Sequence, residues 1–165
     1  MANQDIPNGF RPWGRCLRIN EYEADTTIYK GDLLKLKSDG QVEPCAAGTT
    51  AAIGVAMNYA VAGEKVLVAD DPDQLFEVQS DDATEPAAQT ACGLNFNIVV
   101  GTASTRYRRS AMELDGDTGA SVSNLPLKLM RVLPRAGNAF GANARVVVAI
   151  NNHKLKSHDV GTLGV

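Results

Sequence analysis

The feature that most constrains this chain is its punctuation. From Arg15 onward, short apolar segments alternate with Gly, Pro, Asp and Asn turn signals, leaving room for strands of about five residues and almost none for helices. Leu34 and Leu36 share one face while Lys35 and Lys37 share the other, and Ser38-Asp39-Gly40 then reverses the chain toward Val42 as a hairpin. Further strands are expected over 52–57 and 65–69, on either side of Ala62-Gly63-Glu64, and over 75–79 after the breaker Asp71-Pro72-Asp73. Leu94, Phe96 and Ile98 alternate with Asn95 and Asn97, which predicts a strand with one wet face. Residues 127–133 form a strand closed by Pro134, and 145–150 another, whose Val146, Val147 and Val148 mark it as central and covered on both sides. Only 85–92 reads as helical, with Thr84 as its cap, Pro86 in the first turn and Gly93 as terminator. The expected fold is therefore all-β: a single β-sandwich or partly closed barrel, jelly-roll-like or β-tulip-like, with one short helix.

Residues 1–14 stand apart as an extended N-terminal arm before a β domain over 15–165 that ends in a loose tail. Pro7, Gly9, Pro12 and Gly14 forbid a continuous helix or a central strand there. Fully stretched, the arm reaches at most about 46–50 Å, enough to lie on a neighbouring subunit. It ends in Phe10, Arg11, Pro12 and Trp13, the last being the only Trp in the chain. Two placements are open. Phe10 and Trp13 either fold back into their own core, or anchor the arm on another subunit, where Trp and Arg are common hot spots.

A formal charge of −3, from 16 Lys and Arg against 19 Asp and Glu, argues against a general nucleic-acid or anionic-membrane binder. The N-terminal residues carry neither a basic start nor an apolar run and are not read as a secretory signal. Cys16, Cys45 and Cys92 have no zinc-type spacing and are expected to be reduced structural thiols. His153 and His158 are the only neutral-pH bases, and neither phosphate-loop nor nucleophile-elbow motifs occur. No catalytic residue, metal site or cofactor is therefore assigned. Asp115-Gly116-Asp117-Thr118-Gly119 reads as an acidic turn, with a calcium-binding loop as the rival. The run Arg106-Tyr107-Arg108-Arg109 reads as a protein-contact loop ahead of a nucleic-acid grip.

Two stretches carry a resemblance. The opening Met1-Ala2-Asn3-Gln4-Asp5-Ile6-Pro7-Asn8-Gly9-Phe10-Arg11-Pro12 resembles the start of many tailed-phage head proteins. Next come Tyr29-Lys30-Gly31-Asp32-Leu33-Leu34-Lys35-Leu36, Ser38-Asp39-Gly40-Gln41-Val42, Ile53-Gly54-Val55-Ala56 and Ala62-Gly63-Glu64-Lys65-Val66. This succession is similar to that of tailed-bacteriophage capsid decoration, or cement, proteins. The resemblance implies a structural virion protein and not an enzyme. It would stabilise a capsid by bridging major capsid protein subunits, commonly as a homotrimer, without cofactor, membrane or specific nucleic acid. The implied location is the virion capsid surface, after synthesis in the host cytoplasm. On this expectation Phe10, Arg11, Pro12 and Trp13 are the capsid contacts, with Arg106, Tyr107, Arg108 and Arg109 as a second protein-contact loop. The alternatives are a divalent-ion-dependent β-sandwich enzyme or ligand-binding module using Asp115 and Asp117, and a single-strand nucleic-acid-binding module using 106–109.

Overall fold

The period-two pattern resolves into strands β1 (Arg11–Pro12), β2 (Ile19–Glu23), β3 (Leu33–Leu36), β4 (Val42–Pro44), β5 (Gly54–Ala56), β6 (Lys65–Ala69), β7 (Leu75–Gln79), β8 (Asn95–Val100), β9 (Met112–Ala120), β10 (Leu127–Val132) and β11 (Arg145–Ile150). The structure is a computed structural model and describes residues 3–81, 84 and 86–156. The strands form two antiparallel sheets, one of six in the order β1-β7-β11-β10-β8-β9 and one of five in the order β2-β6-β5-β3-β4. Both sheets curl. In the smaller, Ala24 after β2 bridges Val42 of β4 across the open side, and in the larger, Ser80 after β7 bridges Leu114 of β9. These single bridges stop short of a closed barrel, so the fold is an all-β sandwich of two curled sheets.

Burial on both faces at the middle of the smaller sheet, around β3 and β5, joins the two halves. Leu34, Val42, Ile53, Val66 and Val68 fill the inside of its own curl, whereas Leu33, Val55, Ala69 and Cys45 point the other way, into the larger core. There they meet Phe76, Val78, Phe96, Ile98, Leu114, Leu129 and Val146 from the six-stranded sheet. Gly54 of β5 is required by this double packing: a Cβ there would lie 2.2 Å from the Ala69 carbonyl oxygen. The hairpin expected around Ser38-Asp39-Gly40 is the β3–β4 pair, closed by Lys37 N–H donating to Gln41 O at 2.9 Å. As its Val run implied, β11 lies inside the larger sheet between β7 and β10, with Val146, Val147 and Val148 all fully buried.

The N-terminal arm is extended but folds back on its own body. Phe10 is 2% exposed within the larger core, its N–H donates to Gly31 O at 2.8 Å, and Arg11–Pro12 add an edge strand to β7. Both glycines at this crossing have φ in the left-handed region, Gly9 at +66° and Gly31 at +95°, and a Cβ on Gly9 would stand 2.6 Å from Gly31 O. Of the two placements open for the aromatics, Phe10 takes the core. Trp13 stays half-buried, with Arg131 stacked 4.5 Å above its ring.

Three expectations are corrected. The helix over 85–92 is a single 3-10 turn at Gln89–Ala91, because Ala88 is extended and provides no side-chain cap; Glu85 lies outside the described residues. Asp115 and Asp117 lie within β9 and not on a connecting turn. The irregularity there is a bulge opposite Phe96, formed as Asp115 Oδ1 accepts Asp117 N–H and Thr118 Oγ1 accepts Asn97 N–H. The wet face expected of β8 is closed at Asn95, which is 8% exposed and donates to Val122 O at 2.8 Å. The expected loose tail lies outside the described residues from 157 onward, as does His158, while Asn152 and His153 are tied to Ala52.

Because Phe10 is buried and Trp13 rests on the outside, the two should part in a stability measurement. Phe10→Ala is expected to cost about 3–5 kcal/mol in urea unfolding, and Trp13→Ala only about 1 kcal/mol from the lost cation–π contact and partial burial. Equal losses would mean that Trp13, too, belongs to the core.

Candidate partner-binding trough

The fold brings together the two segments singled out in the sequence. Lys30 N–H donates to Arg108 O at 3.2 Å and Ser110 N–H to Lys30 O at 2.9 Å, so the 104–110 turn is stitched beside the Gly31 crossing that holds the arm. Arg109 Nη1 then donates to Asn8 Oδ1 at 3.3 Å. Arg11 and Arg109 thereby share one open hollow of about 400 Å³, whose other charged walls are Lys30, Arg135 and Arg145. All five are cations in a chain of net negative charge.

Glu77 is their main counterion. Its side chain is 5% exposed, and its Oε1 accepts Arg11 Nη2 at 2.6 Å and Arg135 Nη1 at 3.5 Å. Arg145 reaches back to Ile6 O, fastening the arm across the sheet. Burial pushes the Arg145 guanidinium below its ordinary pKa; Glu77 and, less strongly, Glu113 oppose this, whereas Arg11 and Arg135 push the same way. The hollow is thus a place where positive charge is only partly balanced.

Two further hollows continue it along the arm. One of about 480 Å³ shares Asn8 and Arg109 and adds Pro7, Tyr107 and Ala111. The other, of about 380 Å³, shares Arg135 and Arg145 and adds Asn3, Ile6 and Asn138. Arm residues between Asn3 and Arg11 line all three, and the shared walls join them into one trough.

Not every predicted residue enters it. Trp13 is engaged by Arg131, Arg108 stacks 4.7 Å above the Tyr59 ring, and Arg106 stacks 5.4 Å above Tyr107. Arg108 holds a left-handed φ of +51°, and the three guanidinium groups of this short turn go to different partners, Tyr107, Tyr59 and Asn8. Tyr107 remains 69% exposed at the rim. Sequence reasoning missed Lys30, Arg135 and Arg145, since each sits in a different element and no spacing connects them. Only Lys30 lay within a motif already noted, Lys30-Gly31-Asp32.

Two other chemistry-bearing side chains, Cys45 and Asp70, are held in structural settings. Burial pushes the Cys45 thiol up to about 12, removing it as a nucleophile at neutral pH. Asp70 is fully buried and accepts Arg18 Nε at 2.9 Å, Asn20 Nδ2 at 2.8 Å and the Tyr22 hydroxyl at 2.7 Å. Burial alone would raise its pKa, but these donors and the Arg18 charge outweigh it and hold the carboxyl below the usual carboxylate range. Among the described residues, no three His, Cys, Asp or Glu side chains converge as a metal-ligand set. No helix there is long and apolar enough to cross a membrane.

His153 is 4% exposed. Its Nδ1 accepts Leu155 N–H at 3.1 Å, and its buried Nε2 has no partner among the described residues. Burial lowers its pKa, only partly countered by Asp70. The unfolded chain therefore takes up a proton near pH 6.5 while the folded chain resists, so stability is full above that pH and falls as acid is added. Relative to pH 7.5, His153 should contribute a loss of up to about 1.4 kcal/mol at pH 5.5. His153→Gln should remove this component of the pH dependence in paired urea titrations; an unchanged slope would show the ring to be protonated equally in both states.

Comparison of the chain with protein-family models and with curated proteins found no match.

Proposed function

We propose that this chain is a capsid decoration protein of a tailed bacteriophage, a structural and non-catalytic component that bridges major capsid protein subunits on the virion surface. The observation that carries the proposal is the ordered succession of Lys30-Gly31-Asp32-Leu33-Leu34, Ser38-Asp39-Gly40, Ile53-Gly54-Val55-Ala56 and Ala62-Gly63-Glu64. These residues bear physical weight here. Gly31 receives the arm, Asp32 Oδ2 accepts Tyr29 N–H at 2.8 Å to fix the turn, and Leu33 and Leu34 enter separate cores.

The trough supports the same reading. The charged walls of its central hollow are guanidinium groups and one ammonium, a composition suited to gripping carboxylates on a protein surface. Arg and Tyr at its rim match the composition of protein interfaces. Assembly as a homotrimer belongs to the proposal on resemblance alone. The rival that uses Asp115 and Asp117 as a divalent-ion site has less to rest on, because Asp115 is spent on the β9 bulge.

Purified protein mixed with expanded capsids that lack it should co-sediment at a fixed stoichiometry and raise the temperature at which the shells rupture. Sedimentation equilibrium of the free protein should give a trimer. Failure to co-sediment with capsids of the phage that encodes it would overturn the proposal.

A further inference from the structure

We propose that the cationic trough beside the N-terminal arm is the receptor for an extended, carboxylate-bearing segment of the partner protein. In this arrangement acidic side chains sit in the central hollow and an apolar or aromatic residue lies against Tyr107 and Pro7. This deepens the decoration reading, on which it rests for the partner being a protein.

Shape argues for an extended occupant. The three hollows follow the arm from Asn3 to Arg11, and those residues, at about 3.3 Å each, mark out at most about 30 Å. The central hollow shares Arg135 and Arg145 with one neighbour and Asn8 and Arg109 with the other, so an extended segment can pass from one hollow to the next. Chemistry argues for carboxylates. Glu77 already shows the binding mode from within: one carboxylate oxygen draws Arg11 and Arg135 together, although each guanidinium has five N–H donors to offer. A second carboxylate arriving from solvent would use further donors of the same forks and would relieve the mutual repulsion of Arg11, Arg135 and Arg145.

The cations are also spread over four places in the fold: β1, the Lys30 turn, the 104–110 turn, and the pair Arg135 and Arg145 at the β10–β11 end. Such spacing suits charges distributed along a peptide better than one compact phosphate. Tyr107, mostly exposed and next to Pro7 and Ala111, gives the outer end an apolar contact. A nucleic-acid strand would need a continuous basic path, which the turn at Asp71 and Asp73 and the exposed Asp117 of β9 interrupt elsewhere on the surface.

A fluorescein-labelled octaglutamate peptide followed by anisotropy tests this on the full chain. Saturable binding is expected at low salt, weakening as salt rises. Arg109→Gln with Arg135→Gln, both on exposed side chains, should weaken it at least about tenfold while the melting temperature stays within about 2 °C. Arg109→Gln alone should weaken it about threefold and serves if the double variant is unstable. The charge-matched pair Lys154→Gln and Lys156→Gln, away from the trough, should leave binding within about twofold. No saturable binding by the unaltered protein, or equal loss in both double variants, would overturn the inference. Displacement of the peptide by octathymidylate or by inorganic phosphate at lower concentration than by unlabelled octaglutamate would overturn it as well. Capsid binding without peptide binding would sink this inference alone, and peptide binding without capsid binding would sink the decoration reading alone.

Discussion

The middle of the smaller sheet, where β3 and β5 pair, is buried on both faces, and the rest of the molecule is arranged around that constraint. In a strand, neighbouring side chains point to opposite faces, so Leu33 and Leu34 must enter different cores. A slip of one residue in β3 would exchange the two and misfill both. The register is held from several sides at once: Leu34 pairs with Pro44 and Gly54, Cys45 N–H reaches Leu33 O, and Ile53 N–H reaches Leu34 O. Immediately before β3, Gly31 donates its N–H to Ala56 O and presents its carbonyl to the arm. Strand register, sheet packing and arm placement are thus decided within five consecutive residues, 30–34.

Charge placement follows from arm placement. Once Phe10 enters the core, the alternation that turns Phe10 and Pro12 inward turns Arg11 outward, over Glu77 of the paired strand. Glu77 is in turn flanked in register by Val147 of β11, whose neighbour across the ladder from Gln79 is Arg145. The cation cluster is therefore a geometric consequence of adding an edge strand with this sequence to β7. Bringing Arg11, Arg135 and Arg145 together costs electrostatic energy, and Glu77, itself nearly buried, offsets part of it. What remains unbalanced faces solvent in the trough, where an anion can complete it.

Much of the strand inventory was legible because period-two alternation survives wherever one face is wet or both are apolar. Lys65–Ala69, Leu75–Gln79 and Arg145–Ile150 coincide with the segments read from the pattern. β2 escaped because Ile19-Asn20-Glu21-Tyr22-Glu23 lies at a sheet edge and is stabilised by Asn20 and Tyr22 converging on Asp70, a polar device without apolar period. β9 escaped because its Asp and Gly residues, which usually mark turns, here serve a bulge; Gly119 is needed since a Cβ would press within 2.8 Å of the Phe96 ring. Of the candidate site, Arg11 and Arg109 were visible as members of unusual short runs. That they share a hollow with Lys30, Arg135 and Arg145 was not visible, because it depends on strand order, which periodicity does not encode.

The arm's own burial changes how a binding role for it must work. A sequence of Pro, Gly and two aromatics invites the picture of a free strap that orders only on its partner, with Phe10 and Trp13 as the anchors. With Phe10 in the core and Arg11–Pro12 laddered to β7, withdrawing the arm would open an apolar cavity and expose the β7 edge, both unfavourable. The contact this fold favours is a preformed one. The arm stays docked and supplies a wall of the trough, so its ordering entropy is spent in folding and not charged against association. Proline at positions 7 and 12 serves the same end from the unfolded side, by narrowing the conformations that the arm gives up. A partner segment would then meet a rigid, charged channel, and selectivity would lie in the acidic pattern of the segment that fills it.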